Sequence, residues 1–284
     1  MQTLGEIRQL LARHGATPRH ALGQNFLHDH NMLRKLLGAA ALQPGQVVLE
    51  VGPGTGTLTE ELAAAGAVVV ACELDPAMAA IVRERLGAGV TLVEGDCLHG
   101  KHALSPALLA ALAGRPFRLV ANLPYQAATP LLATLLESHP ECDGAFVTIQ
   151  REVAERMTAA PRSAAWGALS VLMQLQATLE TVAILPGGCF WPPPRVESAM
   201  VAIRRRPDAP LPPAEARAFG TFVASLFSRR RKQLGTTLGR GAALPPGVFA
   251  TQRPEELTPA EWLLLWRLTV TPGPRPSDRS DTPS

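Results

Sequence analysis

Cysteine is scarce and scattered in this sequence. The four residues Cys72, Cys97, Cys142 and Cys189 include no Cys-x-x-Cys pair, which argues against a disulfide framework or a thiolate metal site. His28-x-His30 and His99-x-x-His102 come without a third ligand in a metal-binding pattern, so no metal is expected. Long apolar runs are missing as well. The longest unbroken apolar and glycine stretch, Leu62 to Cys72, has 11 residues, too few to span a bilayer. Glu6, Arg8 and Arg13 interrupt the N-terminus before any signal-like apolar region forms. A reduced, cytoplasmic protein with no membrane partner is expected. Aromatic residues make up only 5%, and Tyr125 is the single tyrosine. Charged residues are 18% against 46% hydrophobic, a balance that excludes disorder of the whole chain.

Lysine is almost absent, with three residues against 24 arginines, and the net charge of +3 conceals its placement. Residues 1–203 carry 14 Lys/Arg against 17 Asp/Glu, whereas residues 204–240 carry nine against two. Genomic drift can trade lysine for arginine, but it does not gather cations into one stretch. Such clustering suits a surface that meets a polyanion.

From residue 46 onward, strand and helix signals alternate. Val47–Leu49 and Ala67–Cys72 read as buried strands, as do 90–93, 118–121 and 144–149. Helices are expected near 1–16, from about Leu58, and at 76–86, 105–113, 129–137, 151–159 and 165–176, with apolar stretches at 178–185 and 199–203. This alternation implies a doubly wound α/β fold around a parallel sheet, whose ligands lie beyond the carboxyl ends of the strands. Glu50, Glu73, Asp96 and Asn122 occupy those ends. Four prolines within Arg206–Pro213 mark a linker. The expected organisation is a catalytic domain at 1–205, a small basic α-helical domain at 206–270 reading as helix at 214–239 and 259–270, and a polar tail at 271–284.

The first candidate site is Glu50-Val51-Gly52-Pro53-Gly54-Thr55-Gly56. Alternate glycines after a strand let a backbone approach a ligand closely. The third glycine comes one residue too early for a dinucleotide fingerprint, and Pro53 removes a donor that a pyrophosphate needs. Glu73, ending the next strand, can accept bonds from both hydroxyls of a ribose, and Asp96, ending the third, from an adenine amine. The three elements in order favour a phosphate-free adenosine cofactor, and S-adenosylmethionine is the candidate.

After the fourth strand comes Asn122-Leu123-Pro124-Tyr125. The Asn122 side-chain oxygen and the Leu123 carbonyl can accept both N–H bonds of an exocyclic aromatic amine, a poor nucleophile otherwise. Pro124 stiffens the turn, and Tyr125 offers a stacking face. In Phe190-Trp191-Pro192-Pro193-Pro194, the prolines present Phe190 as a second plate if the segment folds back over the site, sandwiching a flipped base.

Together with Gly23-Gln24-Asn25-Phe26-Leu27, Val196-x-Ser198 and Phe227-x-x-Arg230-Arg231-Lys232, these motifs resemble the ribosomal RNA adenine dimethyltransferases over about residues 14 to 270. The resemblance implies a Rossmann-like S-adenosylmethionine-dependent methyltransferase domain. It implies cofactor contacts from Asn25, Leu27, Gly52, Gly54, Glu73, Asp96 and Asn122, and catalytic roles for Asn122, Leu123, Pro124, Tyr125 and Phe190. RNA contacts are expected from Arg229, Arg230, Arg231 and Lys232, on a helix. The Leu in the Asn-Leu-Pro-Tyr turn and the triple-proline run are similar to the small-subunit branch. That branch dimethylates two adjacent adenosines of 16S rRNA in the 30S subunit during its biogenesis, as a monomer in this reading. The alternatives are the 23S rRNA adenine methyltransferases of the macrolide-resistance type and a non-catalytic ribosome-assembly factor of the same fold. This chain departs from the family at Gln126-Ala127-Ala128, at Leu22 and at Trp191, where a small or polar residue is usual.

Overall fold

A computed structural model describes residues 1–100, 102–239 and 241–270. The tail expected at 271–284 lies outside the described residues. Helix α1 (Leu4–Arg13) leads through the short strand β1 (Phe26–Leu27) to α2 (His30–Ala40). There follow β2 (Val47–Val51), α3 (Thr57–Ala64), β3 (Val68–Glu73), α4 (Pro76–Leu86), β4 (Thr91–Glu94) and α5 (Pro106–Leu112). Next come β5 (Phe117–Asn122), α6 (Tyr125–Ser138), β6 (Cys142–Gln150), α7 (Arg151–Thr158) and α8 (Ala168–Gln176). The strands β7 (Ala177–Leu185), β8 (Phe190–Trp191) and β9 (Ser198–Arg205) precede α9 (Pro213–Phe227), α10 (Leu234–Leu238) and α11 (Pro259–Val270).

Seven strands form one sheet in the order β4-β3-β2-β5-β6-β9-β7. The doubly wound expectation holds for β4 through β6, which run parallel. The apolar stretches at 178–185 and 199–203 extend the sheet, and β9 runs antiparallel to both its neighbours. Side chains alternate across the parallel strands. Val47, Leu49 and Val51 face one apolar layer with Phe117, Leu119 and Ala121, while Val48 and Val120 face the other. Helices α5 and α6 cover the first layer through Leu108, Leu112, Leu131 and Leu135. Helices α2 and α3 cover the second through Leu33, Leu36, Leu58 and Leu62.

The chain runs outward from β2 to β4, then returns to place β5 on the other side of β2. This reversal opens a crevice between the carboxyl ends of β2 and β5. Pairing of the two strands stops at Leu49 with Leu119 although both continue, to Val51 and Asn122. Local chemistry sharpens the helix starts around the crevice. Asp75 caps α4 by accepting from the Ala77 N–H at 3.0 Å, with Pro76 at the first helical position. Asp29 caps α2 through the N–H groups of Asn31 and Met32.

Two boundaries differ from the sequence expectation in ways that matter for the site. Helix α6 begins at Tyr125, not 129, because the Pro124 carbonyl accepts from both Ala127 and Ala128. Pro130, which reads as a start signal, lies inside the helix. The helix expected over 214–239 is broken: α9 ends at Phe227, and Arg229–Lys232 form a turn before α10. The cations therefore do not spread around a helix. They sit just past a helix carboxyl terminus, where the dipole favours positive charge.

A third apolar cluster joins Trp166, Leu172 and Leu175 to Phe219, Val223, Trp262 and Leu265. Residues on both sides of the Pro-rich linker thus share one core. Trp262 is fully buried, stacked on Phe227 at 5.3 Å and edge-on to Phe222 at 6.2 Å. Replacing it with alanine should destabilise the protein by about 3–5 kcal/mol in urea unfolding. The Trp262 indole N–H has no partner, so Trp262→Phe should cost clearly less. Equal losses for the two variants would contradict this account of the helical core.

Candidate active site

A cavity of about 330 Å³ occupies the crevice, within the range of small-molecule sites. Its walls include Asn25, Leu27, Glu50, Gly52, Gly54, Glu73, Leu74, Asp96, Asn122 and Pro124. The expected cofactor-contact residues therefore do converge. Leu123, Tyr125 and Phe190 are not among the wall residues.

The glycine turn owes its composition to its own chain. Gly52 and Gly54 have φ of +72° and +59°, a region in which side chains are strained. A Cβ on Gly52 would lie 2.9 Å from Cγ of Pro124, and one on Gly54 would lie 2.8 Å from Cε1 of Phe26. The turn is thus roofed by the Asn-Leu-Pro-Tyr segment on one side and by β1 on the other. The sequence reading assigned the glycines to close approach by a ligand. The close approach that the structure shows is by Pro124 and Phe26.

Glu73 ends β3, buried, and its two carboxylate oxygens accept from the N–H groups of Gly54 (3.1 Å) and Asp75 (2.9 Å). Each oxygen keeps acceptor capacity toward the cavity. Burial pushes its pKa above the ordinary carboxylate value, opposed by those N–H bonds. Asp96 is exposed at the rim, and its Oδ1 accepts from the Leu98 N–H at 2.9 Å. Glu50, on β2, is fully buried with Oε2 unpartnered. Burial raises its pKa to about 8, the Thr59 hydroxyl opposing and the Glu73 charge adding. Three carboxyl groups and, among the described residues, no Lys or Arg line this cavity.

Strand β1 stitches the site together. The Asn122 amide nitrogen donates to the Asn25 carbonyl at 2.8 Å. A carbonyl can only accept, so this bond fixes which end of the amide is nitrogen and leaves Oδ1 as a free acceptor. The Asn25 amide in turn donates to the Gly23 carbonyl at 3.1 Å. Phe26 stacks on Trp191 at 6.3 Å, and the Arg8 guanidinium lies over the same indole at 5.1 Å. Leu27 and Phe26 pair with Phe190 and Trp191, and the His28 N–H donates to the Cys189 carbonyl at 3.0 Å. Gln24, which the sequence reading took only as part of a motif, donates to Asp75 at 2.9 Å.

The aromatic residues depart from expectation. Phe190 is only 3% exposed and packs in the apolar layer with Leu27, Leu33 and Cys189. Pairing to β1 turns its side chain inward, and Trp191 is the residue that faces outward to Phe26. The open sandwich of Tyr125 and Phe190 is therefore absent from this conformation. Tyr125 is half-buried, and its hydroxyl bonds to Ser198 at 2.8 Å. That bond, invisible in sequence because 73 residues separate the partners, fixes the ring at the start of α6.

Of the four basic residues, Arg230 is engaged within the protein, pairing with Glu255 at 2.8 Å. Arg229, Arg231 and Lys232 are exposed and make no ion pair among the described residues. No group of three or more metal-ligating side chains occurs among the described residues. Nor, among them, is any helix long and apolar enough to cross a membrane.

Comparison with known proteins agrees with this layout. A model of the family described as ribosomal RNA adenine dimethylase matches residues 15–253. A ribosomal RNA small subunit methyltransferase A from Anaeromyxobacter dehalogenans is 40% identical, covering 92% of this chain and 96% of its own length. The protein of the same name from Methylibium petroleiphilum is 41% identical, covering 90% and 98%. A dimethyladenosine transferase from Plasmodium falciparum shares the fold, with a TM-score of 0.70 at 23% identity over 86% of this chain and 98% of its own. The 23S rRNA methyltransferase ErmE gives a TM-score of 0.66 at 27% identity over 87% of this chain and 100% of its own.

The buried Glu50 predicts a pH dependence. Its pKa rises from 4.5 to about 8 on folding, so between these values the folded protein holds a proton that the unfolded chain has lost. Its contribution to stability is full below about pH 4.5 and is lost as pH rises toward 8, at up to about 1.4 kcal/mol per unit. Glu50→Gln keeps the shape without the titration. Urea unfolding from pH 5 to 8 should show the variant gaining several kcal/mol on the parent as pH rises. Parallel pH profiles for the two proteins would remove Glu50 from this role.

Proposed function

The chain belongs to the ribosomal RNA adenine dimethylase family, and from that premise we propose that it transfers methyl groups from S-adenosylmethionine to N6 of adenine in small-subunit ribosomal RNA. The substrate in this reading is a pair of adjacent adenosines near the 3′ end of 16S rRNA in the 30S subunit. The product is N6,N6-dimethyladenosine, made by a cytoplasmic monomer during subunit biogenesis. Residues 1–205 are proposed as the methyltransferase domain and 206–270 as the RNA-contacting domain.

The observation that carries the cofactor assignment is a cavity lined by carboxyl groups without a cation. Glu50, Glu73 and Asp96 line it, and no Lys or Arg does so among the described residues. The Gly54 N–H is already committed to Glu73, and Pro53 has none. A pyrophosphate would meet carboxyl groups and a turn whose Gly52, Gly54 and Gly56 N–H groups are already bonded, so a dinucleotide is disfavoured. A ligand with a sulfonium and an ammonium group fits, because its positive charges face carboxyl groups in a partly desolvated cleft. Glu73 would hold the ribose hydroxyls, Asp96 the adenine amine, and Asn25 and Leu27 would close over the cofactor from β1. When bound, S-adenosylmethionine supplies an electrophilic methyl group.

The chain's own contribution is orientation and polarisation. Asn122 Oδ1 and the Leu123 carbonyl accept the two N–H bonds of the target amine. This draws its lone pair out of the aromatic ring and aims it into the cavity. As the nitrogen–carbon bond forms and the carbon–sulfur bond breaks, positive charge appears on the nitrogen. The same two oxygens stabilise that charge until a proton leaves to solvent. Pro124 holds the turn against Gly52, and Tyr125, fixed by Ser198, offers its ring to the base. Engaging Phe190 as a second plate requires its ring to leave the apolar layer, so the stacking gained is offset by the packing lost.

The small-subunit reading is preferred to large-subunit methylation. The relatives at 40% and 41% identity are named for the small subunit, whereas the 23S enzyme stands at 27%. A non-catalytic assembly factor has no need for the acceptor geometry at Asn122.

With small-subunit particles as substrate, Asn122→Ala should lower methyl transfer by about a hundredfold or more. Calorimetric titration should show that it still binds S-adenosylmethionine within a few fold of the parent. Glu73→Ala should do the reverse at the binding step, weakening the cofactor by tenfold or so as a buried acceptor is lost. Near-parent turnover by Asn122→Ala would sink the assignment of the amine-holding turn.

A further inference from the structure

Among the described residues, Phe249 is the large apolar side chain most open to solvent, at 64%. Its exposure is built in. Val248 beside it is buried in the helical core with Trp262 and Leu234. The Phe249 N–H donates to Gln252 Oε1 at 2.7 Å, and the Gln252 N–H donates back to the Phe249 carbonyl at 3.0 Å. The ring is thus held outward by a tight turn rather than left at a loose end.

The same turn is tied to the basic segment. The Leu234 N–H donates to the Gln252 carbonyl at 2.8 Å, and the Gly235 N–H to the Ala250 carbonyl at 2.9 Å. Leu234 follows Lys232 by two residues, so these bonds set the Phe249 turn against the start of α10, next in the chain to the exposed cations Arg229, Arg231 and Lys232. Arg230, also exposed, is engaged by Glu255 and the Ala164 carbonyl. Arg229, Arg231 and Lys232 are exposed and make no ion pair among the described residues, which favours a polyanion over a protein partner.

We propose that Phe249, with Arg229, Arg231 and Lys232, forms a contact for single-stranded RNA. The cations hold phosphates and the phenyl ring stacks on an unpaired base. This rests on the reading of ribosomal RNA as substrate and adds that the helical region grips an unpaired nucleotide remote from the target adenine. A duplex has no free base face to offer, whereas an unpaired base does.

The test uses the full chain and a fluorescently labelled oligoribonucleotide of small-subunit rRNA sequence, single-stranded or annealed to its complement. Phe249→Ala should weaken single-stranded binding by about tenfold or more and leave duplex binding and the urea midpoint unchanged. It should also leave the slope of log affinity against log salt unchanged, because stacking releases no counterions. Arg231→Gln/Lys232→Gln should instead flatten that slope, and Phe249→Trp should retain the parent's affinity. Parent-like single-stranded binding by Phe249→Ala, or an equal loss on duplex, overturns the proposal. A loss confined to assembled small-subunit particles overturns it as well and points to a protein contact. Methylation of particles by the parent protein is measured separately, so a failure of the enzymatic reading is distinguishable from a failure of the Phe249 contact.

Discussion

The bond from the Asn122 amide to the Asn25 carbonyl is the constraint around which this molecule is arranged. It joins the end of a central strand to the residue just before β1, 97 positions earlier in the chain. By engaging the amide nitrogen, it fixes the orientation of the Asn122 side chain and leaves Oδ1 as an acceptor at the cavity wall. Strand β1 makes the bond possible. Phe26 rests over Gly54 and against Trp191, and His28 is bonded to Cys189. Three segments far apart in sequence are thereby held in register: the glycine turn, the Asn-Leu-Pro-Tyr turn and the aromatic–proline run. Trp191, a departure from the usual small or polar residue, clamps this junction between Arg8 and Phe26 instead of adding a third plate for the base.

The cavity carries a second constraint, an excess of carboxyl groups. Burying Glu50 without a partner for Oε2 costs stability near neutral pH, as its pKa of about 8 indicates. Buried, unpaired polar groups of this kind gather at functional sites, where a ligand completes them. Among the described residues no Lys or Arg lines the cavity, so a phosphate finds no cation there. The cationic surface lies in the helical region, on the turn after α9. The molecule thus separates its groups, with carboxyls in the pocket and exposed cations on the turn after α9.

Much of this was legible in the sequence, because strands buried on both faces write themselves as Val-rich runs and their ends carry the chemistry. Val47–Leu49, the strand before Glu73 and the helix after Asp75-Pro76 follow directly from composition and capping. The start of α6 was not legible, since Pro130 mimics a first helical residue and only the fold shows Pro124 capping the helix. The basic turn was mistaken for helix because nothing local distinguishes Arg229–Lys232 on a turn from the same residues on a helix. Pairing between β1 and β8 decides that Phe190 points inward and Trp191 outward, and no local periodicity covers two residues. Glu73, Asp96 and Asn122, which line the cavity, were legible because each sits at or just past a strand end. Ser198, Phe26 and Gln24 went without a role because each acts through a partner distant in the chain.

Amide hydrogen exchange in the Asn122→Asp variant tests the central bond most directly. Aspartate keeps the acceptor oxygens but has no N–H to give the Asn25 carbonyl, and two oxygens then face each other across the former bond. The account predicts that the His28 amide, bonded to Cys189 in the parent, exchanges markedly faster in the variant. Methyl transfer should fall along with it even though an acceptor remains at position 122. Parent-like protection at His28 together with parent-like turnover would contradict the claim that β1 orients the site.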